Sequence, residues 1–178
     1  MKKDLLLVFF LALLLAVFIQ GVEIQSVEEY YDTHPEEILP GSDTVTISIR
    51  CDTIYEHYEE LDESLKKGGY LPQDGIILPE TELMLLEGDT VFDLLERVVR
   101  CRRIPMEYQG ADENSFGSVY VQGIQYLYEF SCGPLSGWMY AVNGKIADVG
   151  CSRYEPEPGD VICWFYTCEL GKDVEWEE

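Results

Sequence analysis

Positive charge is scarce in this chain. Twelve lysines and arginines stand against 34 aspartates and glutamates in 178 residues, a formal net charge of −22. A nucleic-acid partner is disfavoured, because phosphate contacts need a basic face. Histidine is scarcer still, with only His34 and His57. The sequence has no C-x-x-C and no D-x-D-x-D-G loop, so neither a zinc site nor an EF-hand calcium site has its usual ligands. Internal repeats are absent. The carboxylates are so numerous that no pair stands out as a general acid and base. The acid excess reads as solubility outside the cell.

Long apolar runs are also few. The one present, Leu5 to Ile19, covers fifteen residues and follows Lys2 and Lys3. That is signal-peptide length, short of the ~20 residues that span a bilayer comfortably. Residues 1–21 are expected to be a signal peptide or an N-terminal membrane anchor, with cleavage after Gly21 in the first case. The run holds no cysteine for a lipid anchor. Both readings place the remaining chain outside the cytoplasm, extracellular or at the cell surface. From Val22 to Asp43 there are seven acids and no lysine or arginine, together with Pro35, Pro40 and Gly41, the composition of an acidic spacer. Residues 173–178 read as an acidic tail.

Six cysteines, Cys51, Cys101, Cys132, Cys151, Cys163 and Cys168, make an even count in an exported chain and read as disulfides. Cys163 and Cys168 are five positions apart in a strand-like run. They point to opposite faces and neither bridge each other nor share a metal. A cysteine nucleophile must be free and activated. With all six expected in bridges, and His57 in an acidic segment, no catalytic constellation is predicted and the chain reads as no enzyme.

The domain is expected over residues 44–172. "DTVTISIRC" alternates Val45, Ile47, Ile49 and Cys51 with polar residues, a half-buried strand with Cys51 on the core side. Residues 54–65 carry one or two short helical turns, closed by Gly68-Gly69. A strand follows over about 82–87, with Pro79 holding the preceding piece at an edge or outside the sheet. "GDTVFDLLERVVRC" is the clearest helix. Thr90 caps it, Asp93 closes a capping box, and Val91, Leu94, Leu95 and Val98 form the apolar stripe. Glu96, Arg97 and Arg100 are expected to face water. Short strands then dominate: "MEYQ", Ser118 to Ile124, Tyr126 to Phe130, "GWMYAV" and Val161 to Cys168. This order predicts an α+β fold with one main helix packed across a mixed sheet.

"GWMYAVNGK" concentrates aromatics before an Asn-Gly turn. Trp138, Tyr140 and Val142 share one strand face, Met139 and Ala141 the other. Two readings are open. The aromatics fill the core and close a hairpin, with Asn143 and Gly144 supplying the positive φ of a type I′ turn. Or Trp138 and Tyr140 form an apolar shelf for a planar ligand, with Asn143 and Gly144 offering turn amides and Tyr126, Tyr128 and Tyr154 extending it.

Taken together, "VTISIRCDTI", "EGDTVFDLLERV" and "YEFSCGPLSGWMYAVNGKIADVGCSRYEPEPGDVICWFYTC" resemble the transcobalamin-like C-terminal domain family, over roughly residues 44 to 172. The resemblance implies a β-grasp-like, disulfide-stapled fold like the small domain of the vertebrate cobalamin carriers. It implies a cobalamin-type corrinoid as ligand, with no cofactor required. In those carriers a helical barrel holds the other face of the corrinoid. This chain has no room for one, so the resemblance points to half a site, completed by a membrane transporter or helical partner protein. The alternative is a surface module that meets protein or glycan. The resemblance and strand parity together suggest Cys51 with Cys168, Cys132 with Cys151, and Cys101 with Cys163.

Overall fold

A computed structural model of the chain describes residues 9, 10, 30, 34, 37–174 and 176. The chain divides into Met1–Asp32 and Thr33–Glu178. Of the first unit only Phe9, Phe10 and Tyr30 are described. The expected signal or anchor segment and most of the expected spacer therefore lie outside the described residues. No helix among the described residues is long and apolar enough to cross a membrane.

The second unit is an α+β fold. Strand β1 (Thr44–Arg50) is followed by two short 3-10 turns (Asp52–Tyr55 and Tyr58–Glu60) and helix α1 (Glu63–Gly68). Next come β2 (Ile76–Met84), helix α2 (Val91–Arg102), β3 (Met106–Gln109), β4 (Tyr120–Ile124) and β5 (Leu127–Tyr128). Strands β6 (Gly137–Val142), β7 (Lys145–Ile146) and β8 (Val161–Thr167) complete the unit, with a 3-10 turn at Cys151–Arg153. A five-stranded sheet runs β2-β1-β8-β6-β7, and a three-stranded sheet runs β3-β4-β5. The central pair, β1 and β8, is parallel, while β1–β2, β6–β8 and β6–β7 are antiparallel.

Strand parity decides what each face of the large sheet meets. Val45, Ile47 and Ile49 of β1, Trp138, Tyr140 and Val142 of β6, and Ile162, Trp164 and Tyr166 of β8 join one core with α2's Val91, Leu94, Leu95 and Val98. Covering one face of the sheet with an amphipathic helix removes both apolar surfaces from water. The other face carries Ala141 and Phe165, which pack with Val174, Met139, Cys163 and Trp176. Trp176 meets Phe165 edge-on at 5.1 Å. Val174 and Trp176, within the expected acidic tail, thus lie on the sheet.

Helix α2 starts as its sequence implies. The Asp93 amide donates to Thr90 Oγ1 at 3.3 Å, and the Thr90 amide donates to Asp93 Oδ2 at 2.8 Å. Arg97 departs from expectation. It is buried, donating to Asp89 Oδ1 at 2.5 Å and to the Met84 carbonyl at 3.0 Å. Its place on the helix borders the polar side, but a buried carboxylate and a strand-end carbonyl draw it in. Strand β2 also begins earlier than expected. It includes Pro79 because it is an edge strand, where a missing amide donor is tolerated.

The expected cysteine pairs are not brought together. Arg50 is level with Phe165 in the parallel pair, so continuing that register puts Cys51 level with Tyr166, two residues before Cys168. Cys163 sits on the outer face of β8, whereas α2, which carries Cys101, packs on the inner face. Cys151 lies against Val119, whose carbonyl accepts from its thiol at 3.3 Å. Cys132 lies instead against the His57 carbonyl at 3.5 Å. Both Cys132 and Cys151 are thiols in the structure, as are Cys51, Cys163 and Cys168.

Candidate functional site

The strand alternation of β6 sends Trp138 and Tyr140 inward, and both are fixed there. The Trp138 indole N–H donates to the Leu127 carbonyl at 2.8 Å, and its ring meets Tyr166 edge-on at 5.4 Å. The Tyr140 hydroxyl donates to the Val149 carbonyl at 2.5 Å. Its ring lies 5.3 Å from Trp164, tilted by 32°, and meets Tyr154 edge-on at 6.1 Å. Trp138 is 8% exposed and Tyr140 7%, too little for an open shelf.

They instead form the wall of a pocket of about 180 Å³ between the two sheets. Val119, Tyr120 and Val121 line one side, Trp138, Met139, Tyr140 and Trp164 the other, and Ala147, Gly150 and Cys151 the end. None of these residues carries a formal charge. Ser118 and Ser152 hold the end closed. Their hydroxyls are 2.9 Å apart, and Ser152 Oγ accepts from the Val119 amide at 2.9 Å. Gly150 permits this close approach, since a Cβ there would lie 2.2 Å from Ser118 Oγ.

The polar groups on the wall are nearly all engaged. Tyr120 donates to Glu129, and Cys151 donates to Val119. The Trp164 indole N–H has no partner among the described residues although Trp164 is 3% exposed. Leaving a buried donor unpaired costs on the order of 1–3 kcal/mol. Burial pushes the Tyr140 hydroxyl well above the usual tyrosine range. Burial, with the Glu129 carboxylate beside it, pushes Tyr120 up to about 12. Burial likewise pushes the Cys151 thiol up to about 11. All three are neutral at physiological pH. The wall can bind an uncharged ring or alkyl group, but it presents no anionic nucleophile.

Residues 88–167 match the family described as Domain of unknown function (DUF4430). The match runs from just before α2 to the end of β8 and includes the whole pocket wall. No curated protein matches the chain. Among solved structures, haptocorrin in complex with Cbi is similar with a TM-score of 0.47 and 10% identity, over 72% of this chain and 26% of that one. A candidate metal-binding protein from Ruminococcus gnavus ATCC 29149 is similar with a TM-score of 0.41 and 8% identity, over 71% of this chain and 97% of that one. The chain thus spans about a quarter of haptocorrin's length. Among the described residues of this chain, no three histidine, cysteine, aspartate or glutamate side chains cluster to hold a metal ion.

The other sequence candidates divide. Tyr154 packs edge-on against Tyr140 but does not itself line the pocket. Asn143 and Gly144 form the hairpin turn, with φ of 51° and 72°. The Asn143 side chain is engaged there, donating to Asp160 Oδ1 at 2.7 Å and accepting from the Val161 amide at 2.9 Å. Tyr128 lies on the small sheet and donates to Glu107 Oε1 at 2.6 Å. Tyr126 packs against Tyr70 with ring centroids 5.1 Å apart and planes tilted by 53°, outside the pocket. Sequence reasoning passed over Trp164 and Tyr120, and named Cys151 only as a disulfide candidate, not as a pocket residue. Trp164 carried a usable signal, because β8 parity puts it on the face of Ile162 and Tyr166. Tyr120 and Cys151 reach the wall only through contact between the two sheets. A second, wider groove of about 300 Å³ between the 3-10 turns and α1 was also missed, with half-exposed Tyr55 and Tyr58 on its wall.

Proposed function

We propose that this chain is an exported, non-enzymatic ligand-binding domain of the transcobalamin C-terminal type, whose aromatic pocket receives a ring-sized group of a larger planar ligand. The strand order β2-β1-β8-β6-β7 around a parallel central pair supports a β-grasp-like reading. The motifs around α2, β6 and β8 support the family resemblance. The observation that carries the ligand reading is the uncharged aromatic pocket walled by Tyr120, Trp138, Tyr140 and Trp164.

Size narrows the ligand's pose. Pockets that engulf drug-sized ligands run to roughly 300–1,000 Å³, while a cavity of about 150 Å³ takes a single benzene ring. At about 180 Å³ the pocket accepts a side group, and a corrinoid would lie across its mouth. Its other face then requires a second surface, a membrane transporter or helical partner protein. The N-terminal segment serves export or anchoring at the cell surface. The neutral state of Tyr120, Tyr140 and Cys151 favours binding over chemistry.

Calorimetric titration of the full chain with cyano- and adenosyl-cobalamin tests this reading. Saturable heat is expected with both, because the pocket recognises an edge of the ligand and not its upper axial group. No heat at high micromolar ligand defeats direct binding. A second reading, a surface module for protein or glycan, draws on the exposed Tyr70–Tyr126 pair and the Tyr55–Tyr58 groove. It predicts glycan-array or partner binding lost on Tyr58→Ala and Tyr126→Ala but retained when the pocket is filled.

A further inference from the structure

Two cysteine-bearing segments are locked together at the lower end of β8. Cys132 lies in the loop between β5 and β6, where it bridges Leu61, and its amide donates to Ser136 Oγ at 3.0 Å. Cys168 follows β8 directly, with its amide donating to Asp173 Oδ2 at 2.6 Å. Tyr166, two residues before Cys168, joins the two. Its hydroxyl donates to the Tyr128 carbonyl at 2.7 Å and pairs with Ser136 Oγ at 2.8 Å. Thr53 Oγ1 donates to the Tyr166 carbonyl at 2.6 Å and fixes the strand end from the other side.

Within this frame the Cys132 and Cys168 side chains lie close enough to influence each other directly. Cys132 is fully buried and Cys168 is 6% exposed. The surroundings of three other thiols are of another kind. Cys51 lies near Asp52 and Asp74, Cys151 near Ser152 and Asp93, and Cys163 near Ser48 and Arg50.

We infer that Cys132 and Cys168 are an oxidative cross-linking site, forming a disulfide that staples the approach to β6 onto the end of β8. This pairing differs from all three suggested by the family resemblance. It follows from register: β8 carries its chain past Cys51 and delivers Cys168 to the loop that leads into β6. Two S–H bonds break and one S–S bond forms. Two electrons and two protons pass to a disulfide of a low-molecular-weight or protein exchange partner, which leaves as two thiols. Because the native loop covers Cys132, the exchange takes place as the loop docks during folding. The bond closes a loop of more than thirty residues, long enough for a substantial restriction of the unfolded chain.

Peptide mapping of the full chain refolded in a glutathione redox buffer, with remaining thiols alkylated, tests this directly. Trypsin separates residues 104–145, which hold Cys132, from 146–153, which hold Cys151, and from 154–172, which hold Cys163 and Cys168. The expected product joins 104–145 to 154–172 with Cys163 alkylated, and its reduction lowers Tm by roughly 5–15 °C. Cys132→Ser and Cys168→Ser should each lose that redox-dependent shift. Should either variant fail to fold, the map of the unaltered chain still decides. Alkylation of both Cys132 and Cys168 after oxidative refolding overturns the inference. So does a link from Cys132 to Cys151, or from Cys51 to Cys168.

Discussion

Tyr140 and Trp164 sit directly opposite each other across the antiparallel β6–β8 pair, with ring centroids 5.3 Å apart. This cross-strand pair is the floor of the candidate pocket. Its two polar ends differ in consequence. The tyrosine hydroxyl is engaged by the Val149 carbonyl, whereas the indole N–H is buried without a partner among the described residues.

Tyr140→Phe keeps the ring and removes the hydroxyl from the Val149 carbonyl. It should cost about 1 kcal/mol and loosen the chain after β7. Tyr140→Ala removes the ring and should cost about 3–5 kcal/mol. Urea denaturation of the two variants checks the split, and equal losses would show that the hydroxyl, not the ring, carries the packing.

Arg97 and Asp89 form a buried ion pair at 2.5 Å, with side chains 4% and 8% exposed. Arg97→Leu leaves the carboxylate without its partner and should destabilise the fold by about 3–5 kcal/mol. The double variant Arg97→Leu/Asp89→Leu should recover much of that loss. A double-mutant cycle by chemical denaturation measures the recovery.

Gly150→Ala forces a methyl group into Ser118, whose Oγ and Cβ would lie 2.2 and 2.3 Å away. A loss of about 1–3 kcal/mol is expected. Ser118→Gly in the same chain removes both clashing atoms and should restore part of it, visible as a partial return of Tm.

Asp173 has an acid-side signature. Burial raises its pKa, but hydrogen bonds from Thr167, the Cys168 amide and the Glu169 amide outweigh this and hold the carboxylate below its ordinary value of 3.8. A depressed folded-state value means the contribution is present above the unfolded value and is lost as pH falls through the folded one. The stability difference between the native chain and Asp173→Asn should be flat from neutral pH down to about pH 5. It should then shrink steadily in more acid solution. Denaturation across that range checks it, and a difference independent of pH would remove the carboxylate from the account.

Much of the fold was legible because local signals agreed with tertiary placement. Strands β3 and β6 fall where alternation puts them, and the Thr90–Asp93 box starts α2. Arg97 was not legible, since helical period alone set it toward water while its partner Asp89 lies outside the helix. The start of β2 was hidden by Pro79, tolerable only because that strand ends the sheet. At the site, Trp138 and Tyr140 could be named from sequence. The pocket itself could not, because it arises where β4 of one sheet meets β6 and β8 of the other. The neighbour of Cys132 was equally hidden. It depends on the β1–β8 register, which spacing does not encode.

The central claim is that a ligand group enters the pocket between Tyr120, Tyr140 and Trp164. Its most direct test is a cyanocobalamin titration of the full chain and of Ala147→Phe side by side, following the visible absorption bands. Ala147 lines the pocket without filling it, and the larger side chain should occupy it. The account predicts a saturable band shift for the native chain and at least roughly tenfold weaker binding, about 1.4 kcal/mol, for a variant of matched thermal stability. Equal binding by both chains, or none by the native chain at high micromolar ligand, would contradict it.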